Sequence, residues 1–159
     1  MSTSRRTLIV GGAAAAFATK AEARMEVGSR PWYDAYLAAF NARDYAGFST
    51  YYAHDVQFSG QAATLRGAQA IVEFYRSVHA RLDERVEILS FVGGGSTRIM
   101  AEIQTTLVAR EDWPDFPTGP LARGQRRQSI NFALYDIAGG RFARIRSARF
   151  SPLNRASRG

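Results

Sequence analysis

The pattern of apolar and polar positions changes once along this chain, from a helical period in the first half to a period of two in the second. In the segment WYDAYLAAFNA (32–42), apolar side chains recur at helical spacing and form one aromatic stripe, made of Trp32, Tyr36, Ala39 and Phe40. The segment YAGFSTYYA (45–53) predicts a short second helix that ends before His54 and Asp55. The segment GAQAIVEFYRSVHARL (67–82) predicts a third helix, with an inner face of Ile71, Phe74, Tyr75, Val78 and Leu82.

The second half alternates between apolar and polar residues, which is typical of strands with one buried face. We predict four strands and a weaker one, at residues 85–92, 97–109, 125–137, 141–150 and 56–59. GGGS (93–96) and AGG (138–140) supply the glycines that tight hairpin turns require. Helices followed by strands predict a single α+β domain and not alternating βαβ units.

Composition limits the chemistry that this domain can carry. The chain has 159 residues, 46% of them hydrophobic and 22% charged, as expected of one globular domain. It has no cysteine, which excludes disulfides, a thiol nucleophile and cysteine metal sites. His54 and His79 are separated by a helix and lack ligand spacing, so we expect no metal and no cofactor. The net charge of +7 comes almost entirely from arginine, without interleaved aromatic residues, and we expect no nucleic-acid partner.

The first 23 residues have the pattern of an export signal. Arg5 and Arg6 precede a weakly hydrophobic stretch at 8–18, and an A-x-A cleavage pattern ends at Ala23. This segment resembles a twin-arginine signal, and its apolar stretch is too short to be an integral membrane helix. We therefore predict an exported, periplasmic or extracellular protein with a domain at residues 24–159. The alternative is a disordered tail on a cytoplasmic protein.

Four segments in order resemble one known superfamily: YLAAFNARD, YYAHDVQF, LRGAQAIVEFY and GGRFARIRSARF. Together they are similar to the nuclear-transport-factor-2-like proteins, and to the SnoaL-like branch in particular, over residues 30–151. The resemblance implies a cone in which three N-terminal helices pack in a strongly curved, mixed, mainly antiparallel sheet. It also implies an open end that admits a small hydrophobic molecule, and a homodimer formed through the outer face of the sheet.

The last hairpin predicts which polar side chains line that cone. With 138–140 as the turn, Asn131 lies opposite Ser147 and Ser129 opposite Arg149, all on one face. Resemblance to ketosteroid isomerases implies that Tyr36 and Asn131 polarise a carbonyl. Resemblance to limonene-epoxide-hydrolase-like and SnoaL-like enzymes places their last-strand aspartate at Ser147, which agrees with the same face.

The carboxylates of these relatives are absent at the matching positions. The isomerase base falls at Gly60, the last-strand acid at Ser147, and the hydrolase arginine and aspartate at Ile103 and Thr105. The expected pocket can therefore donate hydrogen bonds but offers no clear proton acceptor, which suits a carbonyl, enolate or carboxylate ligand. Arg149 could hold such a group bidentately. The alternatives are that Tyr36 is an ordinary core tyrosine and that Arg149 reaches solvent.

The segment REDWPDFPTGPL (110–121) is too long for a simple hairpin loop and holds three prolines. We expect it at the rim of the cone, where Trp113 or Phe116 would cover a ligand. Beneath such a lid, Asp115 could act as a base, and Asp55 is the other acid we consider. The alternative is a packed loop, with Asp112 and Asp115 in solvent, that shields a sheet edge.

Two functions of different classes follow from these residues. One is a cofactor-independent isomerase, cyclase, dehydratase or hydrolase, with Tyr36 and Asn131 on the carbonyl and Asp115 or Asp55 moving the proton. In that enzyme Trp113, Phe116, Ser129, Ser147 and Arg149 bind the ligand. The other is a non-catalytic ligand-binding or protein-interaction module that has lost the carboxylates.

Overall fold

The computed structural model describes residues 25–93 and 95–152, so the predicted export signal lies outside the described residues. The three helices are α1 (Arg30–Asn41), α2 (Tyr45–Ser49) and α3 (Ala68–Arg81). The strands are β1 (Tyr52–Ser59), β2 (Thr64–Arg66), β3 (Leu82–Gly93), β4 (Arg98–Ala109), β5 (Arg126–Ala138) and β6 (Arg141–Pro152). No helix in this part of the chain is long and apolar enough to cross a membrane.

The six strands form one sheet in the order β2-β1-β6-β5-β4-β3. Only the contact between β1 and β6 is parallel, and the other four pairs of neighbouring strands are antiparallel. The sheet curls around the helices, which confirms the predicted α+β fold with a curved, mixed, mainly antiparallel sheet. The short strand β2 was not predicted.

Helix α1 begins two residues before its predicted start because Ser29 caps it. The Ser29 hydroxyl accepts a hydrogen bond from the Trp32 amide at 3.3 Å, and Pro31 occupies the first turn, where its missing N–H costs nothing. Besides the predicted aromatic stripe, the helix buries Tyr33 completely. The prediction of a second helix to residue 53 is wrong, since Tyr52 already pairs with Phe142 of β6.

The main core lies between the helices and the inner face of the sheet, and it is unusually aromatic. Tyr33, Phe48 and Phe142 are fully buried in it. A second, smaller cluster joins the end of α3 to the long loop between β4 and β5, and consists of Val78, Leu82, Ala109, Phe116 and Leu121. The cavity described below lies where these two clusters meet.

The last hairpin has the predicted turn but a different register. Gly139 and Gly140 form the turn with φ of 57° and 74°, a left-handed conformation that glycine adopts without strain. Asn131 lies opposite Arg149 and not opposite Ser147, because the turn is tighter than assumed and the register shifts between Asp136 and Ile137. At Asn131 the net shift is two residues, so Asn131, Ser147 and Arg149 still share a face; a second shift between Ile130 and Asn131 pairs Ser129 with Pro152.

Candidate functional site

A cavity of about 150 Å³ opens between the inner face of the sheet and helices α1 and α3. A volume of this order accommodates a single six-membered ring. Most of its wall is apolar or aromatic, formed by Leu37, Phe40, Phe58, Phe74, Val78, Val86, Ile103, Leu107, Phe116 and Ile145. Apolar walls with a few convergent polar groups are typical of small-molecule sites.

Glu84 is the functional side chain that sequence reasoning missed. It lies on β3 two residues before Val86, so both side chains point inward, and both line the cavity. Its side chain is 13% exposed, and one carboxylate oxygen, Oε2, lies 3.2 Å from Nε2 of His79. Of the described residues that line the cavity, Glu84 is the only acid. The pocket therefore has the proton acceptor that the inherited pattern lacks.

His79 of α3 lies between Glu84 and Tyr45 and is within hydrogen-bond distance of both. Its side chain is 2% exposed, and its Nδ1 lies 3.2 Å from the hydroxyl of Tyr45. When the Tyr45 hydroxyl donates to Nδ1, the Nε2–H is left to donate to the Glu84 carboxylate. The imidazole thus orients the acid as a second partner in a chain of three polar groups. Among the described residues, no three His, Asp or Glu side chains are grouped closely enough to hold a metal ion.

Three tyrosines add hydroxyl groups to the same cavity. Tyr36, as predicted, lines it, and its hydroxyl lies 2.9 Å from that of Tyr52. Tyr135 shares a 2.8 Å hydrogen bond with Tyr33, and burial raises the pKa of Tyr135 to about 12. Burial also raises the pKa of Tyr36 well above its ordinary value, with Tyr52 as the next cause. These phenols therefore stay protonated at physiological pH and act as neutral donors.

Tyr75 of α3 differs from Tyr36 and Tyr135, the other tyrosines of the cavity wall, because its hydroxyl has no hydrogen-bond partner within residues 25–93 and 95–150. It lines the cavity, and burial followed by the charge of Glu84 raises its pKa well above the ordinary value. Both residues contact His79: the Tyr75 ring centre lies 5.7 Å from that of the imidazole, and Glu84 Oε2 lies 3.2 Å from Nε2. Tyr75 therefore offers a free O–H to a ligand close to the carboxylate.

Asn131 lines the cavity and is buried, on the face expected from the alternation of β5. Its amide nitrogen donates to Thr105 Oγ1 at 3.1 Å and to Ser129 Oγ at 3.2 Å. Its amide oxygen accepts from Gln61 Nε2 at 2.8 Å. The polar atoms of Asn131, which was expected to donate to a ligand carbonyl, are thus already hydrogen-bonded within the protein. A ligand would contact the hydroxyls of Thr105 and Ser129 instead.

Ser147 and Arg149 also line the cavity, and Arg149 is exposed at its rim. The structure therefore brings Tyr36, Ser129, Asn131, Ser147 and Arg149 to one cavity, although the hairpin register that led to this expectation was wrong. The face was right because a shift of two residues changes the partner but not the side.

The long loop does not bring a carboxylate to the cavity, so the prediction of a base beneath a lid is wrong. Asp112 and Asp115 are exposed, and Asp112 accepts a hydrogen bond from the Arg123 amide at 2.7 Å. Asp55 is also exposed, on β1, and does not line the cavity. These positions do not support proton transfer by Asp115 or Asp55.

The two aromatic residues of the loop have different places. Phe116 is buried and lines the cavity, as predicted. Trp113 does not line it but packs against Phe116, with the Arg81 guanidinium 4.1 Å from its ring centre. A backbone bridge between Trp113 and Leu121 closes the loop into a compact unit. The loop therefore resembles the packed alternative more than a mobile cover.

Comparison with known proteins agrees with this architecture. The family model described as "SnoaL-like domain" matches residues 33–145. A candidate polyketide cyclase from Pseudomonas putida is 24% identical, with a TM-score of 0.64 over 73% of this chain and 86% of its own. A candidate polyketide cyclase from Xanthomonas campestris is 23% identical, with a TM-score of 0.64 over 72% and 84%.

A third similar structure is an LEH-like epoxide hydrolase from M. tuberculosis, 16% identical, with a TM-score of 0.59 over 74% of this chain and 79% of its own. A search of the curated proteins found no match. At these identities the likeness to solved structures establishes the fold and not the reaction.

Proposed function

The chain belongs to the SnoaL-like domain family, and we propose that it moves a proton on a small, largely apolar carbonyl compound held in its cavity. The reaction class is that of a cofactor-independent isomerase, cyclase, dehydratase or hydrolase. The observation that carries the proposal is Glu84, an acid that faces an apolar cavity and is held by a buried histidine.

In the proposed step, the Glu84 carboxylate takes a proton from the carbon beside the ligand carbonyl. The C–H bond breaks, its electron pair moves into the enolate, and the negative charge develops on oxygen. The free O–H of Tyr75 is placed to donate to that oxygen, because it lies near Glu84 in the same cavity. Where the ligand has a β,γ double bond, the enolate is conjugated, and return of the proton from Glu84 to the γ-carbon completes an isomerisation.

His79 supports this step by holding the base. Its Nε2–H donates to one oxygen of Glu84, which leaves the other oxygen for the ligand. The apolar wall keeps water from competing for the same carboxylate and strengthens the interaction of Tyr75 with the developing charge. The three groups together supply the acceptor, its orientation and the oxyanion donor.

A ligand carrier without catalysis is the second candidate function. The hydrogen bonds of the Asn131 amide favour it. Both hydrogens of its amide nitrogen are used on Thr105 and Ser129, so this residue does not offer a free donor to a carbonyl. A carrier needs only the apolar cavity and its size.

Exchange of carbon-bound protons separates the two candidates. We expect the purified protein to accelerate deuterium incorporation beside the carbonyl of cyclohexanone in D₂O, followed by NMR. Glu84→Gln keeps a hydrogen-bond acceptor for His79 but removes the base, and it should lower the rate about 10² to 10⁴-fold. Glu87→Gln, an exposed acid on the same strand, is the matched control and should not change it. If cyclohexanone binds but wild-type protein gives only the buffer rate, the carrier is the right conclusion.

We also propose that two copies associate through the outer face of the sheet. This face exposes large apolar side chains, Met100 at 40%, Phe132 at 39% and Phe150 at 65%. The rings of Phe132 and Phe150 lie 5.1 Å apart and form one continuous patch. Exposed apolar patches of this kind are typical of protein interfaces.

Export of the protein by the segment 1–23 is a further proposal, supported by its paired arginines and its A-x-A pattern. Export would place the cavity in the periplasm or outside the cell, where its ligand would be an extracellular or envelope compound.

A further inference from the structure

Two charged side chains line the cavity among the residues described, and they belong to different walls. Glu84 lies on β3 and Arg149 on β6, which are separated in the sheet by β4 and β5. No ion pair joins these two groups in the described part of the chain. We propose that Arg149 forms the anchor of a carboxylate subsite at the rim, so that the ligand is an apolar keto acid. This inference rests on the proposed function for the position of the keto group.

Arg149 lacks a protein acceptor in the described residues, whereas three other arginines near the loop have one. Arg110 pairs with Asp83, and Arg81 pairs with Glu111. Arg127 donates to the carbonyl oxygens of Thr118, Gly119 and Pro120 at 2.6 to 3.2 Å. Within the described residues, no acceptor takes the N–H donors of Arg149, which can therefore serve a group that enters the cavity.

The surroundings of Arg149 are positive and contain free hydroxyls. Burial lowers the pKa of Arg127, and the positive charge of Arg149 lowers it further. The Ser147 hydroxyl lies two residues before Arg149 on the same cavity wall and bonds to no side chain or backbone group of the described residues. An anion at this wall would accept hydrogen bonds from both Arg149 and Ser147.

The charges of Glu84 and Arg149 also determine how the ligand is oriented in the cavity. The Glu84 carboxylate repels an anion from the inner part of the cavity, whereas Arg149 attracts it to the rim. The apolar body between them would contact the aromatic and aliphatic wall. A carbonyl on that body then points towards Tyr75 and Glu84, while the carboxylate stays at the rim.

Binding of a matched pair of probes tests the subsite. Cyclohexanecarboxylate and cyclohexanecarboxamide have the same ring and differ in charge, and their dissociation constants can be measured by NMR titration at pH 7. We expect the acid to bind wild-type protein about tenfold or more tightly than the amide. Arg149→Ala should remove that preference without changing the affinity for the amide, and Arg149→Lys should keep part of it. Arg141→Ala removes one exposed charge from the same strand and should leave both affinities unchanged.

The outcomes distinguish the subsite from the proposed function. If the amide binds and the acid binds no better, the carboxylate subsite is wrong while the cavity remains a ligand site. If neither probe binds, both the subsite and the apolar binding cavity are wrong. An acid preference that survives in Arg149→Ala also overturns the proposal, since another cation would then hold the anion. Thermal unfolding of each variant checks that the fold is intact.

Discussion

The hydrogen bond between Tyr36 and Tyr52 offers a quantitative test of how the wall of the cavity is held. Both side chains are buried, and their hydroxyl oxygens lie 2.9 Å apart. Replacing either tyrosine by phenylalanine removes one hydroxyl and leaves the other without this partner. Replacing both removes the two polar groups together, while the rings keep their packing.

The magnitudes follow from the burial of the pair. A net hydrogen bond contributes about 0.5–1.5 kcal/mol, and a buried polar group left unpaired costs about 1–3 kcal/mol. We therefore expect Tyr36→Phe and Tyr52→Phe each to lower the free energy of unfolding by about 1–3 kcal/mol. The double variant should lose less than the sum of the two, with a coupling free energy of about 1 kcal/mol or more.

Urea unfolding followed by tryptophan fluorescence measures these values, since Trp32 is buried in the core and reports on it. Tyr51→Phe is the matched control, because the Tyr51 hydroxyl has no hydrogen bond with the residues described, and it should change the free energy little. Additive single losses in the double variant would refute the reasoning. A much larger effect of Tyr36→Phe than of Tyr52→Phe on ketone binding would instead assign the Tyr36 hydroxyl to the ligand.

Three further predictions concern the surface, the interface and the first 23 residues. Hydrogen bonds from Arg110 and then Arg43 lower the pKa of Asp83 from 3.8 to about 2, so this stabilisation is present above pH 3.8 and lost as the pH falls through about 2. Asp83→Asn should thus cost on the order of 1 kcal/mol or less at pH 7, and the difference from wild type in urea unfolding should vanish near pH 2. Phe132→Glu should convert a dimer to a monomer in sedimentation velocity while circular dichroism shows an intact fold, and an unchanged dimer would exclude the outer face. Deletion of residues 1–23 should abolish export in a fractionation assay, and persistent export would contradict the signal.

The pattern of apolar residues was sufficient to predict the main helices, the long strands and the inward face of the last hairpin. Helix α1 follows from the spacing of Trp32, Tyr36 and Phe40, which the structure buries together. The face of Asn131 was predicted correctly although its partner was not, because strand faces alternate with a period of two and the register moved by two. Shifts of register in β6 are local backbone events that composition does not encode.

The candidate base could not be identified in the same way, although one signal for it was present. Glu84 lies two residues before the buried Val86 and so on the same face of β3, but an acid at the start of a strand is also what a solvated strand end would have. The distinction depends on His79, which reaches Glu84 from α3 only after the chain has folded. A contact between a helix and a strand cannot be predicted from the spacing of apolar residues. The sequence analysis therefore placed the base among the acids of the loop.

The buried pair of Glu84 and His79 is itself an argument for chemistry at this site. Removing a carboxylate from water costs several kcal/mol, and the neutral imidazole of His79 offers Glu84 a hydrogen bond but no opposite charge. A pair whose only role was stability would therefore be poorly chosen, and it would not need an oxygen that faces a cavity. The position of Glu84 between His79 and an apolar space large enough for a ring is what a general base requires, since the histidine fixes the direction of the carboxylate. Gly60 and Ser147 stand where the resemblance led us to expect acids. Glu84 of β3 lines the same cavity, so the proposed proton transfer can use an acid from a different strand.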